Sequence, residues 1–247
     1  MITIKSHQEL KLMREAGKIV AGTFEALRAA IKPGVTTKYL DKIAHDFIVR
    51  HHAVPSFLGY GGFSGSICTS LNDQVIHGIP GETLLQEGDI ISIDIGACYK
   101  GYHGDSAKTF GVGKISAEAQ RLIDVTRQSF YEGIAYAQRG NRVSDISAAV
   151  QEYVESNGFS VVRDYTGHGV GSNLHEDPAV LNFGRPGRGV RLLSGMTIAV
   201  EPMVNAGDYG VYTEDDDWTV RTDDGSLSAH YEHTIAITDG ECIILTK

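Results

Sequence analysis

Four acidic residues and one histidine lie in short motifs that are rich in glycine or β-branched residues, and side chains of these types could bind metal ions together. They are Asp94, Asp105, His168, Glu201 and Glu232. Four carboxylates that converge in a partly buried pocket would repel one another, and some would stay protonated unless cations kept them ionised. The combination therefore predicts a hydrolase that uses two metal ions.

The clearest of these motifs is a predicted β-hairpin. An apolar, β-branched run that contains Asp94 is followed by Lys100-Gly101 and then by a second run that contains Asp105. If Lys100-Gly101 forms a two-residue loop, the two aspartates are diagonal neighbours on one face of the sheet. They could instead be ordinary surface acids, but a run of isoleucines is a poor place for an unused charge.

An internal repeat relates two parts of the chain at an offset of about 107 residues. Residues 88–94 align with residues 195–201, and each segment is a β-type run that ends in an acid. Residues 33–48 align with residues 139–154 as two helix starts with the same apolar spacing. The chain therefore resembles two α-then-β halves that deliver carboxylates to a shared centre.

The two remaining ligand candidates are weaker on their own. The glycines beside His168 let the backbone pass close to a ligand, and an imidazole there could bind a metal, although such a histidine is more often a loop residue. Glu232 lies near the start of the last clear strand, where an isolated acid would be an edge-strand charge. In the company of the other three acids, both become candidate metal ligands.

Several motifs, spread over nearly the whole chain, carry a resemblance to a known family. They lie at residues 68–80, 90–110, 167–171, 175–176, 199–202 and 227–234. The sequence closely resembles type I methionine aminopeptidases of the short bacterial kind, which belong to the M24 metallopeptidase family. The resemblance implies the pita-bread fold, removal of the initiator methionine when the second residue is small, and a pair of divalent ions. Cobalt, manganese, iron and zinc would all suit the ligand set.

The resemblance also implies roles for individual residues. The family's five ligand positions fall on the five residues named first, and its two catalytic histidines fall on His77 and His175. Glu201 is expected both to bind a metal ion and to relay a proton to the leaving amine. The side chains expected around the substrate are those of Tyr60, Cys68, His77, Leu174, His175 and Trp218.

Three positions depart from the family's usual pattern. Leu174 stands where the family usually has phenylalanine, and His230 stands where glutamine is common. The loop at residues 61–65 is also richer in glycine than usual. None of these departures removes a ligand, so they bear on the shape of the methionine pocket rather than on the reaction.

Length and composition predict a single catalytic domain over residues 1–247. The chain has 247 residues, 42% hydrophobic residues and 6 prolines, so it can bury one substantial core, and no linker-like stretch divides it. The repeat places the two halves at roughly 1–113 and 114–247. Helix-start signals predict four main helices interleaved with strands, hence an α+β fold; the signals stand at Ser6, Thr36, Ser116 and Ser144.

Charge and composition also bear on compartment and partners. The start of the chain lacks signal-peptide character and no apolar run approaches ~20 residues, so we expect a cytoplasmic protein without a membrane contact. The three cysteines are expected to be free thiols. A net charge of −9 opposes general nucleic-acid binding. Arg185, Arg188 and Arg191 could still make a transient ribosome contact, although a solvated loop is the simpler interpretation. We expect a monomer that acts on the N-termini of nascent chains.

Three alternatives compete with this interpretation. A proline-specific aminopeptidase or prolidase shares the metal set and the fold, but such enzymes usually carry an extra amino-terminal domain for which this chain has no room. A catalytically inactive binding module would be expected to have lost ligands, and all five are present. A purely structural domain gives no reason for the acids.

Overall fold

The computed structural model describes residues 2–247. This part of the chain contains four α-helices, a short 3-10 helix at Tyr60–Gly62 and fifteen β-strands. The helices are α1 (His7–Arg28), α2 (Thr37–Arg50), α3 (Ala117–Ile134) and α4 (Val143–Ser156). The strands are β1 (Val54–Pro55), β2 (Cys68–Leu71), β3 (Gln74–Ile76), β4 (Ile90–Tyr99), β5 (Tyr102–Gly111), β6 (Ser160–Val161), β7 (Gly167–Gly169), β8 (Glu176–Val180), β9 (Thr197–Val200), β10 (Met203–Asn205), β11 (Val211–Thr213), β12 (Val220–Thr222), β13 (Ser228–His230), β14 (His233–Ala236) and β15 (Ile243–Ile244).

Three of the four helices begin at the predicted capping residue. The side chains of Ser6, Thr36 and Ser116 each accept a hydrogen bond from the backbone N–H three residues later. These bonds satisfy N–H groups that have no partner inside the helix. Among residues 2–247, none of the helices is both long enough and apolar enough to cross a membrane.

The fourth helix starts earlier than predicted. Helix α4 begins at Val143, ahead of the Ser144 signal, because the carboxylate of Asp145 accepts a hydrogen bond of 2.7 Å from the backbone N–H of Arg142. The hydroxyl of Ser144 instead donates to the carbonyl oxygen of Arg188 at 2.7 Å. The acid of the motif therefore caps this helix, and the serine ties it to a neighbouring loop.

The predicted hairpin is formed by β4 and β5, and its register is the predicted one. Tyr99 faces Tyr102, and Asp94 faces Ala107. Both residues of the loop have left-handed backbone angles, with φ of 49° at Lys100 and 83° at Gly101. This is the turn geometry that matches the twist of a tight hairpin.

Each half of the chain packs two helices against its own strands. In the first half, α1 and α2 cover β4 through a core that includes Phe24, Leu40, Ile93 and Ile95. In the second half, the buried clusters include Phe130 of α3 with Ile146 and Val150 of α4. Burial of each such side chain contributes about 1.5–3 kcal/mol. The internal repeat itself remains a prediction.

One close contact sets helix α1 against the strand that carries Asp105. A Cβ atom on Gly104 of β5 would lie 2.9 Å from the backbone nitrogen of Gly17 in α1. Real Cβ atoms do not approach other atoms this closely, so glycine is required for the helix and the strand to pack at this distance. Helix α1 therefore packs directly against β5, the strand that carries Asp105.

The strands form four antiparallel sheets, and the two largest meet at one seam. One sheet has the order β1-β4-β2 with β5 on β4, and the other has the order β15-β14-β9-β7-β8. At the seam, the backbone N–H of Glu232 donates to the carbonyl of Ala107 at 2.9 Å, and the reverse bond is 3.3 Å. Thr234 bonds the backbone of Asp105 in the same way, accepting from its N–H at 3.0 Å and donating to its carbonyl at 2.9 Å. The seam places Asp105 and Glu232, which are distant in the sequence, side by side.

Candidate active site

A cavity of about 250 Å³ lies at this seam, and every site residue predicted from the sequence lines it. Five elements supply the candidate metal ligands. Asp94 lies on β4, Asp105 on β5 and His168 on β7, whereas Glu201 directly follows β9 and Glu232 directly precedes β14. Residues from both large sheets therefore converge on one space.

The acids and the histidine lie close enough to share metal ions. One ligand atom from each of Asp105, His168 and Glu232 lies within 4.8 Å of the others. The Nε2 atom of His168 is 3.8 Å from Oδ2 of Asp105 and 3.5 Å from Oε1 of Glu201. Asp94 lines the same cavity from β4, the strand that pairs with the strand of Asp105.

The ring of His168 is oriented by its own backbone neighbour. Its Nδ1 atom lies 2.8 Å from the carbonyl oxygen of Gly169. A carbonyl oxygen only accepts, so Nδ1 carries the proton and donates, which leaves the Nε2 lone pair facing the carboxylates. Burial, aided by the charge of His175, lowers the pKa of His168 to about 4, so the ring is neutral at pH 7.

In the part of the chain that the structure describes, each of the four carboxylates of the site has one buried oxygen without a hydrogen-bond partner. Burial and then neighbouring carboxylates raise the pKa values of Asp94 and Glu232 well above the usual range, and burial raises that of Asp105 to about 7. Among the buried side-chain oxygens of residues 2–247 that have no hydrogen-bond partner, four belong to this site: Oδ1 of Asp94, Oδ1 of Asp105, Oε1 of Glu201 and Oε1 of Glu232. Buried oxygens without partners are costly, and cations would satisfy them. The set of oxygen donors with one imidazole fits divalent metals.

Two further histidines, His77 and His175, line the cavity. The Nδ1 atom of His175 lies 2.8 Å from the hydroxyl of Tyr60, and its ring centroid is 4.1 Å from that of His168. His77 lies edge-on to Tyr165 and Trp218, with ring centroids 5.9 and 6.3 Å away. Its φ of 59° is unusual for a residue other than glycine, so the surrounding structure holds it in a strained conformation.

The rest of the cavity wall is apolar. Phe57, Phe63, Cys68 and Leu174 are buried together, and Trp218 packs against them with its ring 5.1 Å from that of Phe63. Leu174 thus does line the cavity, and two phenylalanine rings stand in its cluster. Sequence reasoning did not find Phe57, Phe63 or Tyr165, although Tyr165 stands three residues before His168.

Comparison with known proteins decides the family. Residues 11–239 match the model of metallopeptidase family M24. This chain belongs to that family. A protein named methionine aminopeptidase from Clostridium acetobutylicum is 58% identical over 247 residues, which covers 100% of this chain and 99% of the relative. The resemblance to methionine aminopeptidases is therefore confirmed.

Solved structures agree with this assignment. The crystal structure of methionine aminopeptidase from Rickettsia prowazekii has a TM-score of 0.99 and 44% identity, with 100% of both chains covered. The prolidase from Pyrococcus furiosus has a TM-score of 0.77 at 20% identity and covers 99% of this chain but 65% of its own. The second likeness shows the shared fold alone. The α+β pita-bread fold is confirmed, and the proline-specific enzymes are only distant structural matches.

Proposed function

We propose that this M24 metallopeptidase removes the N-terminal methionine from new proteins whose second residue is small. The observation that carries the proposal is a single cavity in which unpartnered carboxylates and a neutral imidazole adjoin a buried wall of rings, a thiol and an aliphatic side chain. The first group of side chains suits metal-assisted hydrolysis, and the second suits a thioether.

The five candidate ligands would hold two divalent ions. Four carboxylates and one imidazole exceed what one ion needs, and two divalent cations would balance the four negative charges. When bound, the ions activate water for attack and polarise the substrate carbonyl. Cobalt, manganese, iron and zinc all accept such a ligand set, and supply decides between them.

The protein's own residues would manage protons and orientation. Glu201 would accept a proton on its carboxylate during the reaction and pass it to the leaving amine. The Tyr60 hydroxyl can donate to Nδ1 of His175, which keeps the proton on Nε2 of that ring. His175 Nε2 and the ring of His77 would then donate hydrogen bonds to the substrate carbonyl oxygen as charge develops there.

The apolar wall would select the first substrate residue. A thioether gains from contact with the rings of Phe57, Phe63 and Trp218 by ~0.3–1.5 kcal/mol each. The enclosed space beside it favours Ala, Gly or Ser as the second residue. We expect poor release of methionine before Leu or Lys.

The test compares cleavage of Met-Ala-Ser with that of Xaa-Pro peptides across a panel of divalent metals. We expect rapid methionine release from the first peptide, none after chelation, and none from Asp105→Asn or Glu232→Gln after metal is restored. Preferential cleavage of Xaa-Pro peptides would favour a prolidase instead. Full activity in metal-stripped protein would rule out the metal-dependent reaction.

We also propose where and with whom this activity takes place: in the cytoplasm, as a monomer, with transient ribosome contact. Arg185, Arg188 and Arg191 are exposed, and within residues 2–247 none of them forms an ion pair with a carboxylate. Co-sedimentation with ribosomes should weaken with added salt and on replacement of the three arginines by alanine; unchanged binding would exclude this surface.

A further inference from the structure

The residues ahead of helix α1 are tied to the loop that carries His175. The backbone N–H of Lys5 donates to the carbonyl of Gly195 at 2.8 Å, which fixes the segment on the second half of the chain. The Nζ atom of Lys5 lies 2.5 Å from Oε2 of Glu176, and the hydroxyl of Thr3 donates to the same oxygen at 2.7 Å. Glu176 follows His175 directly in the sequence.

This ion pair is buried. The side chains of Lys5 and Glu176 are only 4% and 7% exposed. Lysine and glutamate are rarely buried to this extent, and removal of two charges from water is unfavourable unless the pair also fixes a particular geometry. An apolar pair could fill the same space, so the charged pair calls for an explanation beyond packing.

The loop between Gly171 and Glu176 is held at both ends. The carbonyl of Gly171 accepts a hydrogen bond of 2.9 Å from the backbone N–H of His103, which lies on β5 two residues before Asp105. At the other end, Oε1 of Glu176 accepts from the backbone N–H of Asn173 at 3.2 Å. The two side chains of this loop that line the cavity are those of Leu174 and His175.

The ion pair packs directly against the loop backbone at Gly171. A Cβ atom on Gly171 would lie 2.4 Å from Oε1 of Glu176 and 2.6 Å from Cε of Lys5. The glycine therefore lets the carboxylate and the lysine stem lie directly against the loop backbone. Burial acts to raise the pKa of Glu176, but hydrogen bonds from Lys5, Thr3 and Asn173 outweigh it and hold the pKa below its usual value. The pair stays charged at neutral pH.

We propose that Lys5 is a positioning residue, which acts through its ion pair with Glu176 to hold His175 at the substrate. The inference rests on the proposed function, because it assigns His175 a part in the same reaction. The N-terminal segment thereby belongs to the active site although it does not line the cavity. Loss of the pair should misplace the imidazole without disturbing the metal ligands.

The first test compares Lys5→Met, Lys5→Arg and the matched control Lys18→Met. Lys18 pairs with Glu15 on the surface of α1 and is 56% exposed. With Met-Ala-Ser, we expect Lys5→Met to lower kcat by about 10- to 100-fold with KM and metal content little changed, because a small misplacement of a catalytic group has this effect. Lys5→Arg should restore most of the rate, and Lys18→Met should match the unmodified protein. An unchanged kcat in Lys5→Met would overturn the proposal.

A double-mutant cycle separates positioning from general stability. If Lys5 acts through His175, adding Lys5→Met to His175→Ala should lower kcat no further, whereas multiplying losses would overturn the proposal. If Lys5→Met does not fold, Glu176→Gln breaks the same pair with little change in shape and takes its place in the cycle. Failure of the unmodified protein to cleave Met-Ala-Ser would instead refute the proposed function.

A readout that needs no activity is the NMR signal of the His175 ring. In metal-free protein, Lys5→Met should shift the ring signal of His175, and Lys18→Met should leave it in place. A His175 signal that is the same in all three proteins would overturn the proposal even if the rates differed.

Discussion

The Nε2 atom of His230 lies 3.8 Å from Oε2 of Glu201, on a side chain that is only 2% exposed. That nitrogen has no hydrogen-bond partner within residues 2–247. Thr109 fixes the histidine backbone, accepting from its N–H and donating to its carbonyl, both at 2.9 Å. Burial, aided by the charge of His77, lowers the pKa of His230 to about 3, so a neutral imidazole faces a candidate metal ligand from the interior.

Replacement of this imidazole should weaken metal binding. Residues behind metal ligands typically change metal affinity or activity by ~10- to 100-fold when they are replaced. We expect His230→Leu to lose at least ~10-fold in affinity, because no donor would remain beside Glu201, and His230→Gln to keep most of it. Competition with a chelator measures both affinities. Equal affinity in the leucine variant would show that His230 only fills space.

The metal-free protein should be stabilised by Glu232→Gln, and the gain should grow with pH. Burial and the nearby carboxylates raise the folded-state pKa of Glu232, so the folded protein keeps a proton that the unfolded chain releases above about pH 4.5. Each rise in pH above that value therefore costs the unmodified protein stability until the folded pKa is passed, and a glutamine avoids this cost.

Urea unfolding of chelated protein at pH 5.5 and pH 8 measures the difference. The comparison must be made between variants, because buried neutral histidines such as His77 and His233, whose pKa values are lowered, destabilise the fold as pH falls. Glu15→Gln, at an exposed position, serves as the control and should show no pH-dependent gain. A gain in the free energy of unfolding of Glu232→Gln that shrinks as pH rises would contradict a raised folded-state pKa of Glu232.

The two histidines on the substrate side should affect turnover and not metal content. We expect His175→Ala and His77→Ala each to lower kcat by ~10²-fold if they donate to the developing oxyanion. His77→Asn is a useful companion because asparagine tolerates the left-handed backbone angle at this position. Metal analysis accompanies the kinetics, and loss of metal in any of these variants would identify a ligand instead.

Leu174→Phe should sharpen the preference for methionine over norleucine several-fold. The side chain at this position lines the cavity beside Phe57 and Phe63, and a further ring would add a sulfur–aromatic contact worth ~0.3–1.5 kcal/mol. The gain should lie in substrate affinity, with metal content unchanged. The measurement is kcat/KM for matched Met- and norleucine-initiated tripeptides on both proteins. An equal ratio of kcat/KM for the two peptides on both proteins would mean that the side chain at position 174 does not contact the substrate.

The sequence predicts those parts of the site that depend on local rules. A two-residue loop fixes the register of the hairpin, so the relation between Asp94 and Asp105 follows from the chain alone. Capping residues fix three of the four helix starts for the same reason. The start of α4 escaped prediction because Ser144 had an alternative acceptor on Arg188, far away in the sequence.

Other features depend on contacts between distant segments and could not be predicted. Neither Lys5 nor Glu176 stands in a pattern that indicates the other, since their pairing depends on how the halves dock. The rings of Phe57 and Phe63 come from an irregular stretch whose path is set by tertiary packing. Periodicity gives no information about such a stretch.

The backbone pairing of Ala107 with Glu232 has a consequence for how long the protein survives in a cell. A metal ion held by Asp105 and Glu232 would join segments on either side of that seam and would bind only the folded chain. Each ion bound there would shift the unfolding equilibrium away from the open forms that proteases degrade. Metal supply would then govern the abundance of this protein as well as its catalytic rate. A cell short of metal would degrade the metal-free molecules, which are inactive.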